Sequence, residues 1–140
     1  MPFTVAIALG SNLGDRPLAL RRAVAELRRV VNVVRVSSFI NTEPVDAPPP
    51  DFLNAVVLGY TSLAPERLLD AVQAIESRLG RRPTKARNAP RTIDLDLIFH
   101  SAHRLRTRRL TLPHPRYRQR EFVMRPLREV WCPASGERIS

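Results

Sequence analysis

Cysteine and lysine are almost absent from this chain. Its one cysteine, Cys132, has no partner for an internal disulfide, which fits a reducing cytoplasm. With His100 and His103 it forms no metal-ligand spacing, so no structural zinc site is expected. The one lysine, Lys85, does not complete a G-x-x-x-x-G-K-[ST] pattern, so the glycines at 10 and 14 do not belong to a P-loop. Aromatic residues make up only 6% of the chain, and the paired stacking aromatics of an RNA-recognition sheet are missing. No run approaches the ~20 apolar residues of a membrane-spanning helix. The opening Met1-Pro2-Phe3-Thr4 lacks a basic n-region and a cleavage site, so no secretory signal is expected.

What is present is arginine, and it is unevenly placed. The net charge is +10. Residues 1–80 hold eight basic and eight acidic side chains, whereas residues 81–140 hold fifteen and five. Arginine never loses its charge and pairs with phosphate through two parallel hydrogen bonds. The C-terminal part therefore suits a polyanion, whether nucleotide or nucleic acid. The chain has 140 residues, 44% of them hydrophobic, enough for one domain (1–140) with a real core.

Periodicity gives the elements. Phe3 to Leu9 reads as an apolar strand and 10–14 as a tight turn into a helix capped by Asp15. Apolar residues at 20, 23, 24, 27, 30 and 31 recur at helical spacing. Val33 to Ile40 reads as a strand, 41–51 as a loop stiffened by Pro48-Pro49-Pro50, and Phe52 to Tyr60 as a third strand. Pro65 opens a helix with Leu68, Leu69, Val72, Ile75 and Leu79 on one face, closed at Gly80. A basic loop, an Asp-bearing strand, a hairpin near Leu105 and 110–112, and a helix over 117–127 follow; the tail from Pro133 is expected to be loose. This β-α-β-β-α-β order predicts an α+β, ferredoxin-like fold: a mainly antiparallel sheet, helices packed on it, and C-terminal additions.

The most informative stretch is Pro90-Arg91-Thr92-Ile93-Asp94-Leu95-Asp96. In a strand Asp94 and Asp96 share a face, with Cα atoms roughly 7 Å apart. Two anions at that distance repel by about 2–3 kcal/mol at an effective dielectric near 20. A cation between them relieves this, and Mg²⁺ suits hard oxygen ligands together with substrate phosphates. A solvated outer face of an edge strand is the alternative. His114, between Pro113 and Pro115, is either a phosphate donor or a surface-loop histidine. Gln73 and Glu76 share one side of the second helix and, taken alone, read as solvated boundary residues. Phe52 and Phe122 either clamp a flat heterocycle, with Asn54 reading its edge, or belong to the core.

Taken together, several motifs resemble one family. They are Gly10-Ser11-Asn12-Leu13-Gly14, Ser37-Ser38-Phe39 with Thr42 and Pro44, Asp51-Phe52-Leu53-Asn54-Ala55, Ile75-Glu76, and Leu79-Gly80-Arg81. The Asp-bearing segment and Leu112-Pro113-His114-Pro115 with Arg120, Phe122 and Val123 complete the set. This resembles the 6-hydroxymethyl-7,8-dihydropterin pyrophosphokinases from about residue 4 to residue 127. The resemblance implies transfer of diphosphate from ATP to the pterin hydroxymethyl group, releasing AMP, in folate biosynthesis. It implies that Asp94 and Asp96 bind two Mg²⁺ ions and act with Arg81 and Arg91 in catalysis. Thr42, Pro44, Val45, Phe52, Asn54 and Phe122 fall where the family holds the pterin. Gln73, Glu76, Arg81, Arg91, Arg109, Thr111, His114 and Arg120 fall where it holds ATP. A cytoplasmic monomer without nucleic-acid or membrane partners is expected.

Some positions depart from the family pattern. Asn88 and Ala89 stand in place of a Trp-Gly pair, Pro83 in place of an arginine, and Asp46 where glycine is common. They leave open a paralogue for a different pterin, or a form of weakened activity, in which Arg82, Lys85 or Arg87 compensates. The +10 charge separately leaves open a basic nucleic-acid-binding module on the same fold.

Overall fold

A computed structural model of the chain describes residues 2–43, 51–80, 93–101, 105–107, 109–115 and 117–131. The elements are β1 (Phe3–Ser11), α1 (Arg16–Leu27), β2 (Asn32–Val36), β3 (Ile40–Thr42), β4 (Phe52–Thr61), α2 (Pro65–Arg78), β5 (Asp94–His100), β6 (Leu105–Arg106), β7 (Thr111–Leu112), a 3-10 turn (Tyr117–Gln119) and α3 (Glu121–Val130). Among these residues no helix is long and apolar enough to cross a membrane.

The sheet order is β2-β4-β1-β5, with β3 also paired to β4 and every pairing antiparallel. With β2 and β3 counted as one interrupted edge strand, this is the ferredoxin-like arrangement. The two faces of the sheet differ. Val5, Ile7 and Leu9 of β1, Leu53, Ala55 and Val57 of β4, and Leu95 and Leu97 of β5 meet α1 and α2. On the reverse face Ala6, Val56 and Ile98 meet Tyr117 and the α3 residues Val123, Leu127 and Val130. The α1 helix starts where Asp15 accepts the Leu18 amide hydrogen at 3.1 Å, a cap of the kind that contributes about 1 kcal/mol.

Five sequence expectations need correction. Gly10 and Ser11 belong to β1 rather than to the turn. The first helix ends at Leu27; Val31 is still buried, but in the segment after it. The helix expected over 117–127 is a 3-10 turn followed by α3, displaced toward the C-terminus. The strand expected over 33–40 is broken at Ser37. There the buried Ser37 hydroxyl accepts the Val56 amide hydrogen at 2.9 Å, doing what a strand carbonyl would do. Ile40 to Thr42, expected partly as loop, then pairs with β4 as β3.

The break also receives α3. The Ser38 amide and hydroxyl both donate to Glu129 Oε1, at 2.9 and 2.6 Å. These bonds, the hydroxyl's first, hold the Glu129 carboxyl below its ordinary value. A carboxylate with a lowered folded-state value stabilises the fold above its unfolded value, and the contribution is lost as pH falls through the folded one. Glu129→Ala is therefore expected to lower the denaturation midpoint at pH 7, with the gap from wild type closing well below pH 4.5, the ordinary glutamate value. Denaturant titrations at the two pH values check this, and a gap independent of pH contradicts it.

Candidate active site

The site is built on the reverse face of the sheet, where large and small side chains are sorted by strand. Along β1 the residues Val5, Ile7 and Leu9 point to one side, and Ala6, Ala8 and Gly10 to the other. Gly10 stands between Asn54 of β4 and Asp94 of β5, and Ala8 stands between Val56 and Asp96. Asn54 and Asp94 are thus two strand spacings apart, about 10 Å, across a floor that carries almost no side chain. A Cβ added at Gly10 would lie 3.1 Å from Asn54 Oδ1 and 3.5 Å from the Phe52 ring. The strip over Gly10 and Ala8, flanked by Phe52 and Asn54 on one side and by the carboxylates on the other, is the candidate hollow.

Asp94 and Asp96 are both half-buried. Their face is preserved by a β-bulge. Register with β1 shifts between Ala6 and Ile7, so that Ala6 opposes Phe99 and Ile7 opposes Leu97. Ile98 is the extra residue, and both Ile98 and Phe99 join the α3-side cluster. The bulge lets β5 end with buried His100 on the opposite face, its Nε2 2.8 Å from the Leu63 carbonyl.

β5 is an edge strand, and its outer edge is occupied by two of the residues singled out from sequence. Glu76 is 6% exposed, and its Oε2 accepts the Leu95 amide hydrogen at 2.8 Å, between the two aspartates in sequence. The reading of Glu76 as a solvated boundary residue is thus overturned: one turn of α2 carries the side chain inward, beneath the strand. The His114 amide donates to the Ile98 carbonyl at 2.9 Å, which holds the half-buried Pro113 and His114 against the bulge.

One turn before Glu76, Gln73 is exposed. Its Oε1 accepts from Arg109 Nη2 at 3.3 Å. Arg109 also donates through Nη1 to Glu66 at 3.0 Å and through Nη2 to the Asp70 carboxylate. Its guanidinium is held above its ordinary value, chiefly by the Asp70 hydrogen bond. These contacts dock the β6–β7 hairpin, in which Thr111 opposes Arg106, on the outer side of α2. Glu76 and His114 thus bond the β5 edge, while Gln73 and Arg109 meet on α2, next to the hairpin that carries Thr111.

On the other flank, Asn54 is buried and its Nδ2 donates to Thr42 Oγ1 at 2.6 Å. Phe52 and Phe122 are half-buried rather than core residues. Phe122 packs against the cluster under α3, and the Arg120 guanidinium carbon sits 5.5 Å from its ring centroid, within cation–π range. Pro44, Val45, Arg81 and Arg91 lie outside the described residues, as do Asp46, Pro83, Asn88, Ala89 and the compensating candidates Arg82, Lys85 and Arg87.

A sequence profile of the 7,8-dihydro-6-hydroxymethylpterin-pyrophosphokinase family matches residues 6–132. The chain belongs to this family. It is 46% identical over 127 residues to the 2-amino-4-hydroxy-6-hydroxymethyldihydropteridine pyrophosphokinase of Bacillus subtilis, covering 89% of this chain and 75% of the relative. It is 42% identical over 134 residues to the Porphyromonas gingivalis enzyme of the same name, covering 90% and 89%. The fold matches the crystal structure of an HPPK-DHPS in complex with substrates, with a TM-score of 0.66 at 10% identity, over 93% of this chain and 40% of that one. Family membership gives the chain a pyrophosphokinase activity in folate biosynthesis.

Sequence reasoning missed the role of Gly10, although the alternation of large and small residues in Val5-Ala6-Ile7-Ala8-Leu9-Gly10 carries the signal. Gly10→Val fills the hollow and presses on Asn54. It is expected to cut turnover by about tenfold or more while leaving the far-ultraviolet spectrum unchanged; full activity contradicts the floor. Glu76→Ala strands a buried amide hydrogen, so unfolding free energy is expected to drop by roughly 1–3 kcal/mol in a urea titration. No change would place the Leu95 amide in water.

Proposed function

We propose that the chain transfers diphosphate from ATP to the hydroxymethyl oxygen of 6-hydroxymethyl-7,8-dihydropterin, with the reacting groups meeting over the Gly10–Ala8 floor. The observation that carries this reading is the pair of half-buried carboxylates facing that floor opposite Asn54 and Phe52. Such a donor set fits Mg²⁺, which takes one or two carboxylates and leaves its remaining positions to phosphate oxygens and water. When bound at Asp94 and Asp96, a pair of Mg²⁺ ions supplies charge neutralisation at the phosphate oxygens and orientation of the attacking hydroxyl.

The protein's own groups do the rest. Asn54 presents its amide oxygen toward the hollow while Thr42 fixes the amide's orientation, which suits the hydrogen-bonding edge of a pterin. Phe52 and Phe122 offer aromatic faces to the flat ring, and Pro44 and Val45 complete the acceptor set by family position. Gln73, Glu76, Arg109, Thr111, His114 and Arg120 form the ATP side. Arg91 is three residues before Asp94, within about 10 Å of chain reach, and with Arg81 it holds charge developing on the transferred group. The hydroxyl oxygen forms a bond to the β-phosphorus and releases its proton to water, the bond from that phosphorus to the α,β-bridging oxygen breaks, and AMP leaves with the bridging oxygen. Positioning and charge stabilisation are what such a transfer requires, and no protein general base is assigned. The reading takes residues 1–140 as one pyrophosphokinase domain working as a cytoplasmic monomer, without nucleic-acid or membrane partners.

Incubation with ATP, Mg²⁺ and the pterin, followed by nucleotide separation, is expected to give AMP only when pterin is present. Asp94→Ala and Asp96→Ala should each reduce the rate by on the order of a hundredfold or more, and chelation of Mg²⁺ should stop it. ADP as product, or wild-type rates in both variants, would overturn the assignment.

A further inference from the structure

Behind the acceptor flank of the hollow is a set of polar side chains that no role yet accounts for. Arg16, the first residue of α1, donates from Nη1 to Asn41 Oδ1 at 2.7 Å and to the Asp51 carbonyl at 2.9 Å. Asn41 Nδ2 donates in turn to Asp51 Oδ2 at 2.9 Å. One guanidinium nitrogen thus joins α1, β3 and the residue that leads into β4. Asn41 alternates with Thr42 along β3, so its side chain leaves the opposite face of the strand from Thr42.

The location gives these contacts a consequence. β3 has only three residues and, among the described residues, pairs with β4 alone, through Ile40–Asn54, Asn41–Leu53 and Thr42–Phe52. A strand so short is held weakly by its own ladder. Yet it supplies Thr42, whose hydroxyl accepts the Asn54 amide hydrogen at 2.6 Å and so sets which way Asn54 faces. α1 is anchored in the core through buried Leu20, Ala23 and Leu27, so a bond from Arg16 refers β3 to the rigid body of the protein.

We propose that Arg16, Asn41 and Asp51 are positioning residues for the acceptor: from the back of the β3–β4 pair they fix Thr42, and through it Asn54 and Phe52, in the geometry that receives the pterin. This rests on the acceptor assignment made above. Among the described residues the hydrogen bonds of these three run between α1, β3 and the lead into β4, so the clamp acts on the acceptor and not on ATP.

The test uses the full chain with ATP, Mg²⁺ and hydroxymethyl-dihydropterin. Arg16→Met is expected to raise KM for the pterin about tenfold while kcat and KM for ATP stay within about twofold. Arg16→Lys, which keeps one donor nitrogen, falls between. Asp51→Ala repeats the effect, and the double variant adds little to it, because both break one unit. The Asn54 side-chain amide resonances, assigned in the protein without substrates, should shift in Arg16→Met. An unchanged pterin KM with active wild type overturns the clamp and leaves the pyrophosphokinase reading standing, as does a parallel change in kcat and both KM values. Wild type that forms no pterin-dependent AMP overturns that reading instead, and the Asn54 resonances then decide the clamp alone: unmoved, they refute it.

Discussion

Two like charges on one face of an edge strand repel, and the structure on both sides of β5 serves to keep them there. Glu76 reaches from α2 and takes the Leu95 amide hydrogen, so the backbone between Asp94 and Asp96 is held from the helix side. The bulge at Ile98 then turns the strand so that its far end joins the core on the other face while the aspartates keep theirs. The His114 amide closes the edge at the bulge itself. An edge strand normally needs protection from pairing with another chain; here the groups that cover the edge are the same ones that aim the carboxylates.

The opposite requirement, for empty space, is met by β1. A central strand is expected to be filled on both faces, and β1 is filled on one. Its large residues build the core with α1 and α2, and its small ones leave a floor that α3 covers only in part. In the proposed function the substrates lie over β1, which is paired on both sides, between a hydrogen-bonding flank on β3 and β4 and a charged flank on β5. Such a support suits a transfer that relies on alignment rather than on covalent participation by the protein.

Much of this was legible in the sequence. The β-α-β-β-α-β order, the two helical faces and the shared face of the aspartates follow from periodicity, and the arginine excess of residues 81–140 agreed with a polyanionic substrate. What was not legible depends on long-range partners. Ser37 breaks a strand because Val56 lies opposite its hydroxyl. Glu76 is buried because β5 offers it an amide, whereas local sequence placed it at a solvated boundary. Gly10 resembled a turn glycine because Gly14 follows closely; only the register with Asn54 and Asp94 gives its missing side chain a purpose. Arg16 drew no notice as a lone charge at a helix start, since Asn41 and Asp51 are far along the chain.

If the β5 carboxylates hold divalent metal together with the triphosphate, spectroscopy of the bound ion detects it without turnover. Mn²⁺ in place of Mg²⁺, titrated with a non-hydrolysable ATP analogue and followed by electron paramagnetic resonance, reports metal held by protein and nucleotide at once. Tight, nucleotide-dependent Mn²⁺ binding is expected in the wild type, and its loss in an Asp94→Asn, Asp96→Asn double variant that still folds. Equal Mn²⁺ binding in the two proteins would contradict it.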